Sequence, residues 1–201
     1  SATDPYQPLE ARYRLTRQCL EVFAAHPVAW LVVQTRSLLV APDIDLLARL
    51  PFVTLNLSVE TDLPGIHRLF THSSATPERR LRLVSQALAQ GLMTQVTVSP
   101  LLPHSDDFAI RLAEAVGSQG RVIVDTFLDG DGSGGRRSAR LGMDTRLEQA
   151  GYPGWFQHCR EHAENLRKRL QALLTPAQVL WSANGFCTPP GMALQQPGSG
   201  Q

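Results

Sequence analysis

Lysine and cysteine are both scarce in this chain, and each shortage closes off a class of protein. Lys168 is the only lysine among 19 basic residues. It lies in a C-terminal helical pattern, so no strand of the expected sheet carries an amine for Schiff-base chemistry. The arginine excess reads as coding bias. The three cysteines, Cys19, Cys159 and Cys187, are odd in number and widely spaced, which is no disulfide framework and points to a reducing, cytoplasmic setting. No apolar run approaches the ~20 residues of a membrane-spanning helix; the best candidate is Val28 to Val33. Asp4, Glu10 and Arg12 deny the first residues the character of a secretory leader. Neither sign of charge dominates, with 19 basic against 18 acidic residues. That balance removes charge-driven disorder and any general affinity for nucleic acid.

What remains is ordinary globular material. The chain has 201 residues and is 43% hydrophobic, enough for one domain with or without an appendage. Helical spacing runs from Pro8 through Leu9, Tyr13, Thr16, Leu20 and Phe23, and Cys19 falls inside it as an expected buried small hydrophobe. Val28 to Gln34 reads as a buried strand, because its apolar residues are continuous instead of alternating; Phe52 to Val59, Thr94 to Ser99 and Val122 to Phe127 read as the next strands. Residues 43–50 form a short helical pattern. Thr76-Pro77-Glu78 starts another helix and Gly91 suits its end. Ser105 is the expected cap of a helix running to Val116, and a longer helix is expected from Gly154 to Leu174. Strands alternating with helices predict a parallel α/β sheet. The pattern alone fits a barrel or an open doubly wound sheet.

In parallel α/β folds ligands bind beyond the carboxyl ends of the strands. The polar residues expected on that rim are Thr3, Asp4 and Tyr6; Gln34, Thr35, Arg36 and Ser37; Asn56, Ser58 and Glu60; Ser99 and His104; Asp125 and Thr126. Ser58 and Glu60 stand out, since they break or end a strongly apolar strand and need partners if buried.

These residues carry a resemblance. Thr3-Asp-Pro-Tyr-Gln-Pro8, Tyr13-Arg-Leu-Thr-Arg17, Val33-Gln-Thr-Arg-Ser37, Asn56-Leu-Ser-Val-Glu60, Pro77-Glu-Arg-Arg80 and Val96-Thr-Val-Ser-Pro100 resemble, in order and spacing, the radical S-adenosylmethionine (SAM) proteins of the spore photoproduct lyase-like, or DNA repair photolyase-like, branch. The first element is the most specific, and the likeness covers roughly residues 1–127. The resemblance implies a partial (β/α) TIM-like barrel holding SAM and a 4Fe–4S cluster with one iron free of cysteine. It also implies reductive cleavage of SAM by an external electron donor, and hydrogen abstraction from a nucleic-acid or nucleotide substrate. By position, Thr3 and Asp4 match the element that meets the SAM ammonium. Arg36 sits where relatives often carry lysine, and a guanidinium there holds the carboxylate through two hydrogen bonds. Ser58 and Glu60 match the position contacting ribose or the methionine end, and Ser99 the strand end near the nucleoside.

Two departures shape the expectation. The family's C-x3-C-x2-C motif lies upstream of the Thr-Asp-Pro element, and this chain has no such residues. Ser1-Ala2 stand where the repair enzymes have a hydrogen-donor cysteine. The expectation is therefore a barrel without its first βα unit and without its cluster, inactive alone, from a radical SAM parent. The rival reading is a non-catalytic SAM- or nucleoside-binding domain that has lost the cluster. Residues 1–127 are then the partial barrel, 128–143 a Gly- and Arg-rich linker, 144–193 a helical extension and 194–201 a disordered tail.

Smaller signals receive plainer readings. His158 and His162, with Cys159 and Glu161, have metal-ligand spacing on a helix but no third ligand nearby. Asp125, Asp129 and Asp131 fail the calcium-loop pattern because its twelfth position is Arg140. Arg136, Arg137 and Arg140 would meet phosphate if the substrate is DNA. Arg79, Arg80 and Arg82 read as the polar face of a helix, and Trp155, Phe156 and Trp181 as a cover over the barrel bottom or edge.

Overall fold

The computed structural model describes residues 3–26, 28–71, 74–129 and 133–187. Two short helices, α1 (Glu10–Tyr13) and α2 (Leu15–Ala25), open the chain. The sequence pattern reads as one helix, but Arg14 adopts φ 50° and splits it. Then come β1 (Leu31–Thr35), a 3-10 turn (Leu38–Asp43), α3 (Ile44–Leu47), β2 (Val53–Ser58), α4 (Pro64–Thr71), α5 (Pro77–Ala89), β3 (Thr94–Val98), α6 (Phe108–Val116) and β4 (Arg121–Val124). The remainder holds α7 (Arg136–Arg140), α8 (Met143–Gln149), α9 (Cys159–Gln171), β5 (Val179–Trp181) and α10 (Ser182–Cys187).

The five strands form one all-parallel sheet in the order β1-β2-β3-β4-β5. No strand is skipped, so there is no point where the winding reverses. A doubly wound sheet requires one; this order is that of a singly wound α/β arc.

Side chains alternate faces along each strand, and the register sorts them cleanly. Val33, Leu55, Leu57, Val96, Val98, Val122, Val124 and Val179 share one face. They join the main core with Val84, Leu112 and Leu166 of the helices. The opposite face carries Gln34, Asn56 and Gln95 side by side, and then Ser58 beside Thr97. Asn56, Ser58, Gln95 and Thr97 are all buried. One sheet face is thus largely hydrocarbon under helices; the other is polar across β1–β3 and turns apolar at Ile123 and Leu180 of β4 and β5.

Several expectations need correcting. Residues 144–193 are more than a helical extension: Val179–Trp181 pairs with β4 as a fifth strand. Three residues are too few for an apolar run to announce itself. Helix α4 was not legible, because Pro64 and Gly65 disguise its start. Helix α6 starts at Phe108 after Asp107, not at Ser105; the Ser105 N–H and hydroxyl both donate to Asp62. Cys19 is exposed, not buried, because the stripe of α2 that faces the core is centred on Leu20. Arg80 is fully buried and belongs to no polar face. Within 128–143, the helix α7 interrupts the expected linker, while Asp131 and the tail 194–201 lie outside the described residues.

Candidate functional site

The site is built where the polar face meets the carboxyl ends of β1, β2 and β3. Asp4 accepts the Tyr6 N–H (2.9 Å) and the Thr35 hydroxyl (2.6 Å) on Oδ1, and the Arg36 N–H (2.8 Å) on Oδ2. Both oxygens are spent on tying the first segment to the end of β1. Asp4 therefore shapes the rim; Thr3 is exposed beside it. The Thr35 hydroxyl also receives the Ser37 N–H at 2.9 Å, which fixes the turn that presents Arg36.

Arg36 reaches across to β2. Its Nε donates to Glu60 Oε1 at 2.5 Å, with the Arg36 side chain 44% exposed and that of Glu60 only 1%. The other oxygen of Glu60 takes Arg80 Nη1 at 3.1 Å. Arg80, from α5, also donates to the Ser58 carbonyl, and its Nη2 lies 3.3 Å from Nδ1 of His67 on α4. Burial pushes the His67 imidazole below its usual value, and the Arg80 charge adds to that effect. A neutral ring lets Nδ1 accept from Arg80. Two guanidinium groups thus share the Glu60 carboxylate, with the Asp4 carboxylate against the Arg36 backbone.

The cavity beside this group is about 350 Å³, lined by Arg36 and Glu60 at one end and by Phe70, Pro100, Leu102 and Met143 along its wall. Thr71 and Ser74 add hydroxyls. Next along the rim, Ser99 donates to Asp125 at 3.0 Å. Asp125 also takes the Thr126 N–H at 2.8 Å, and burial raises its carboxyl above the ordinary range.

Deeper on the same face, the Asn56 side-chain amide and the Thr97 hydroxyl are buried without a hydrogen-bond partner. Such orphans are uncommon, because leaving a buried polar group unpaired costs about 1–3 kcal/mol. These unspent donors and acceptors lie on the sheet face that also carries Gln95 and Ser58.

Of the residues singled out from sequence, Asp4, Arg36, Ser58 and Glu60 come together through hydrogen bonds, and Ser99 sits beside the cavity next to Pro100. Arg80 and His67 were missed. The signal available for Arg80 was the apolar strand ending in Glu60, whose buried carboxylate demanded a cation. A larger cavity, about 480 Å³ near Tyr6, Arg14, Arg17 and Asp43, has spent charges: Asp43 accepts Tyr6 Oη (3.0 Å) and Arg17 Nη1 (2.7 Å). Burial and the Asp43 charge push the Tyr6 phenol upward.

Metal-ligating groups are sparse. Among the described residues no three His, Cys, Asp or Glu side chains cluster as a metal site. His162 stacks on Trp155 with ring centroids 3.8 Å apart, Cys159 is buried, and Asp129 is held by Arg160 at 2.7 Å. None of the described helices is long and apolar enough to cross a membrane.

Comparison with known proteins adds likeness but no activity. The chain is similar to uncharacterized proteins of Mycobacterium bovis and Mycobacterium tuberculosis, 33% identical over 119 residues. The match covers 57% of this chain and 34% of each relative, so it spans about a third of their length. No family model matches the chain, and no solved structure matches it.

Proposed function

We propose that this chain is the SAM-binding part of a radical SAM-type (β/α) barrel of the spore photoproduct lyase-like branch, and that the ligand lies across the β1–β3 rim. The observation that carries the reading is that Arg36 and Glu60 line one cavity together with Pro100, the neighbour of Ser99, while the unpartnered Asn56 and Thr97 lie on the polar face of β2 and β3. In this reading the singly wound sheet is an arc of the barrel and its polar face is the barrel interior. Arg36 carries the positive charge for the methionine carboxylate, Ser58 and Ser99 offer hydroxyls to ribose and nucleoside, and Thr3 and Asp4 frame the ammonium end. The apolar wall of Phe70, Leu102 and Met143 takes the methylene part by burial.

SAM fits the donors and acceptors of this wall, whereas a 4Fe–4S cluster does not fit the residues present. Cys19 lies on the exposed side of α2 and Cys159 is buried in α9, and the Cys187 side chain lies outside the described residues. This chain's residues therefore support binding, and no chemical step is assigned to them. Radical hydrogen abstraction, an external electron donor, a DNA or nucleotide substrate and a cytoplasmic setting belong to the parent protein in this reading. A second reading is a binding domain without a cluster; among the described residues no cysteine lines the cavity.

Calorimetric titration of the chain with SAM tests the proposal. Saturable binding that Arg36→Ala weakens is expected; no binding, or binding indifferent to Arg36→Ala, would overturn it.

A further inference from the structure

Arg80 heads the fully buried side chains by volume. A buried guanidinium is an expensive way to fill space, and an apolar residue of similar size often does that job as well or better. Its contacts suggest another role. It grips Glu60 Oε2, the Ser58 carbonyl and the face of His67 that carries Nδ1. His67 is itself pinned, since Thr71 Oγ1 lies 2.6 Å from the same nitrogen. The chain of contacts runs from α4 and α5, through Glu60, to the Nε of the half-exposed Arg36. Bound at Nε, Arg36 keeps its two terminal nitrogens for the cavity; they make no hydrogen bond among the described residues. Arginine side chains lose much rotamer freedom when ordered, so a guanidinium already held in place binds an anion more tightly than one that must be ordered.

We propose that Arg80, backed by His67, is the positioning residue for the anion end of the cavity: it locks Glu60, and Glu60 in turn aims Arg36. The inference rests on the SAM reading for its ligand, but the brace itself is a property of the chain alone. Its two readouts are therefore separate. The first is hydrogen exchange of the Arg36 Nε–H, followed by nitrogen-15 NMR and assigned with Arg36→Lys. The second is calorimetric affinity for SAM.

Arg80→Met is expected to speed Arg36 Nε–H exchange and to weaken SAM binding, each by about tenfold, a change equivalent to 1.4 kcal/mol. Val84→Ala is the control, because Val84 is buried in the same helix and its hydrocarbon side chain forms none of the hydrogen bonds of the brace. It lowers stability while leaving both readouts at wild-type values. Should Arg80→Met fail to fold, Arg80→Lys keeps the charge but loses the fork that spans Glu60, Ser58 and His67, and it is expected to lose both readouts in part. Unchanged exchange in the Arg80 variants overturns the proposal, as does an equal change in Val84→Ala, which would make Arg80 a packing residue. A wild-type chain that ignores SAM, yet loses Arg36 protection in Arg80→Met, overturns the ligand reading and supports the brace.

Discussion

Replacing Asp4 by asparagine separates a structural staple from a ligand contact. The carboxylate receives three hydrogen bonds, two of them from backbone N–H groups at opposite oxygens. Asparagine has only one oxygen. If its amide nitrogen turns toward Arg36, the Arg36 N–H loses its acceptor; if it turns toward Thr35, the Tyr6 N–H does. One backbone donor is stranded either way, and a donor then faces a donor. Hydrogen bonds to a charged acceptor are worth about 1.5–3 kcal/mol each when buried. Asp4 is only half-buried and one good acceptor survives, so a net loss of about 1–2 kcal/mol is the reasonable figure. In a domain of this size that lowers Tm by about 2–8 °C. Thermal melting followed by circular dichroism measures the shift, and amide exchange at Tyr6 and Arg36 locates it. An unchanged Tm together with weakened SAM affinity would refute the reasoning, since Asp4 would then touch the ligand instead of holding the rim.

Other consequences follow from burial and packing. Burial lowers the imidazoles of His67, His104 and His162, so their contribution is complete above an unfolded pKa of about 6.5 and is lost as pH falls through the lower folded values. The urea midpoint should therefore drop between about pH 7 and pH 5, and less steeply in His67→Gln; a flat profile contradicts the burial of these rings. Asp125, with its carboxyl raised by burial, acts in the opposite sense, and only nearer the carboxylate range. Gly185→Ala places a methyl 2.8 Å from Ile123 Cγ2 and 3.0 Å from Leu180 Cβ, which should cost about 1–3 kcal/mol in chemical denaturation; a neutral result contradicts the close packing of α10 on Ile123 and Leu180. Maleimide labelling mapped by mass spectrometry should modify Cys19 rapidly and Cys159 only after unfolding, since the first is exposed and the second buried.

The parallel α/β architecture was legible because Val, Leu and Ile concentrate in strands covered on both sides, and because Thr76-Pro77-Glu78 and Gly91 mark the ends of α5 so plainly. The polar inner wall was partly legible: Asn56, Ser58 and Glu60 alternate with Leu57 and Val59 inside an apolar run, and such a pattern needs partners. What hid the rest was distance in sequence. Arg80 lies among Arg79 and Arg82 and looks like their equal, and only the fold shows that its side chain turns inward toward Glu60, 20 residues away. His67 carries no local signal either, since its role depends on Arg80. Strand β5 was hidden by its length, and the exposure of Cys19 by the break at Arg14, which changes the direction of α2. Position along a helix wheel is a local property, whereas the burial of a charge is decided by what the rest of the chain brings to it.

The most direct test is to titrate SAM into the nitrogen-15-labelled chain and map the shifted amides. The account predicts saturable shifts confined to Arg36, to Ser58 through Glu60 and to Ser99 at the ends of three successive strands. Shifts clustered instead around Arg14 and Asp45, or none at saturating ligand, would contradict it.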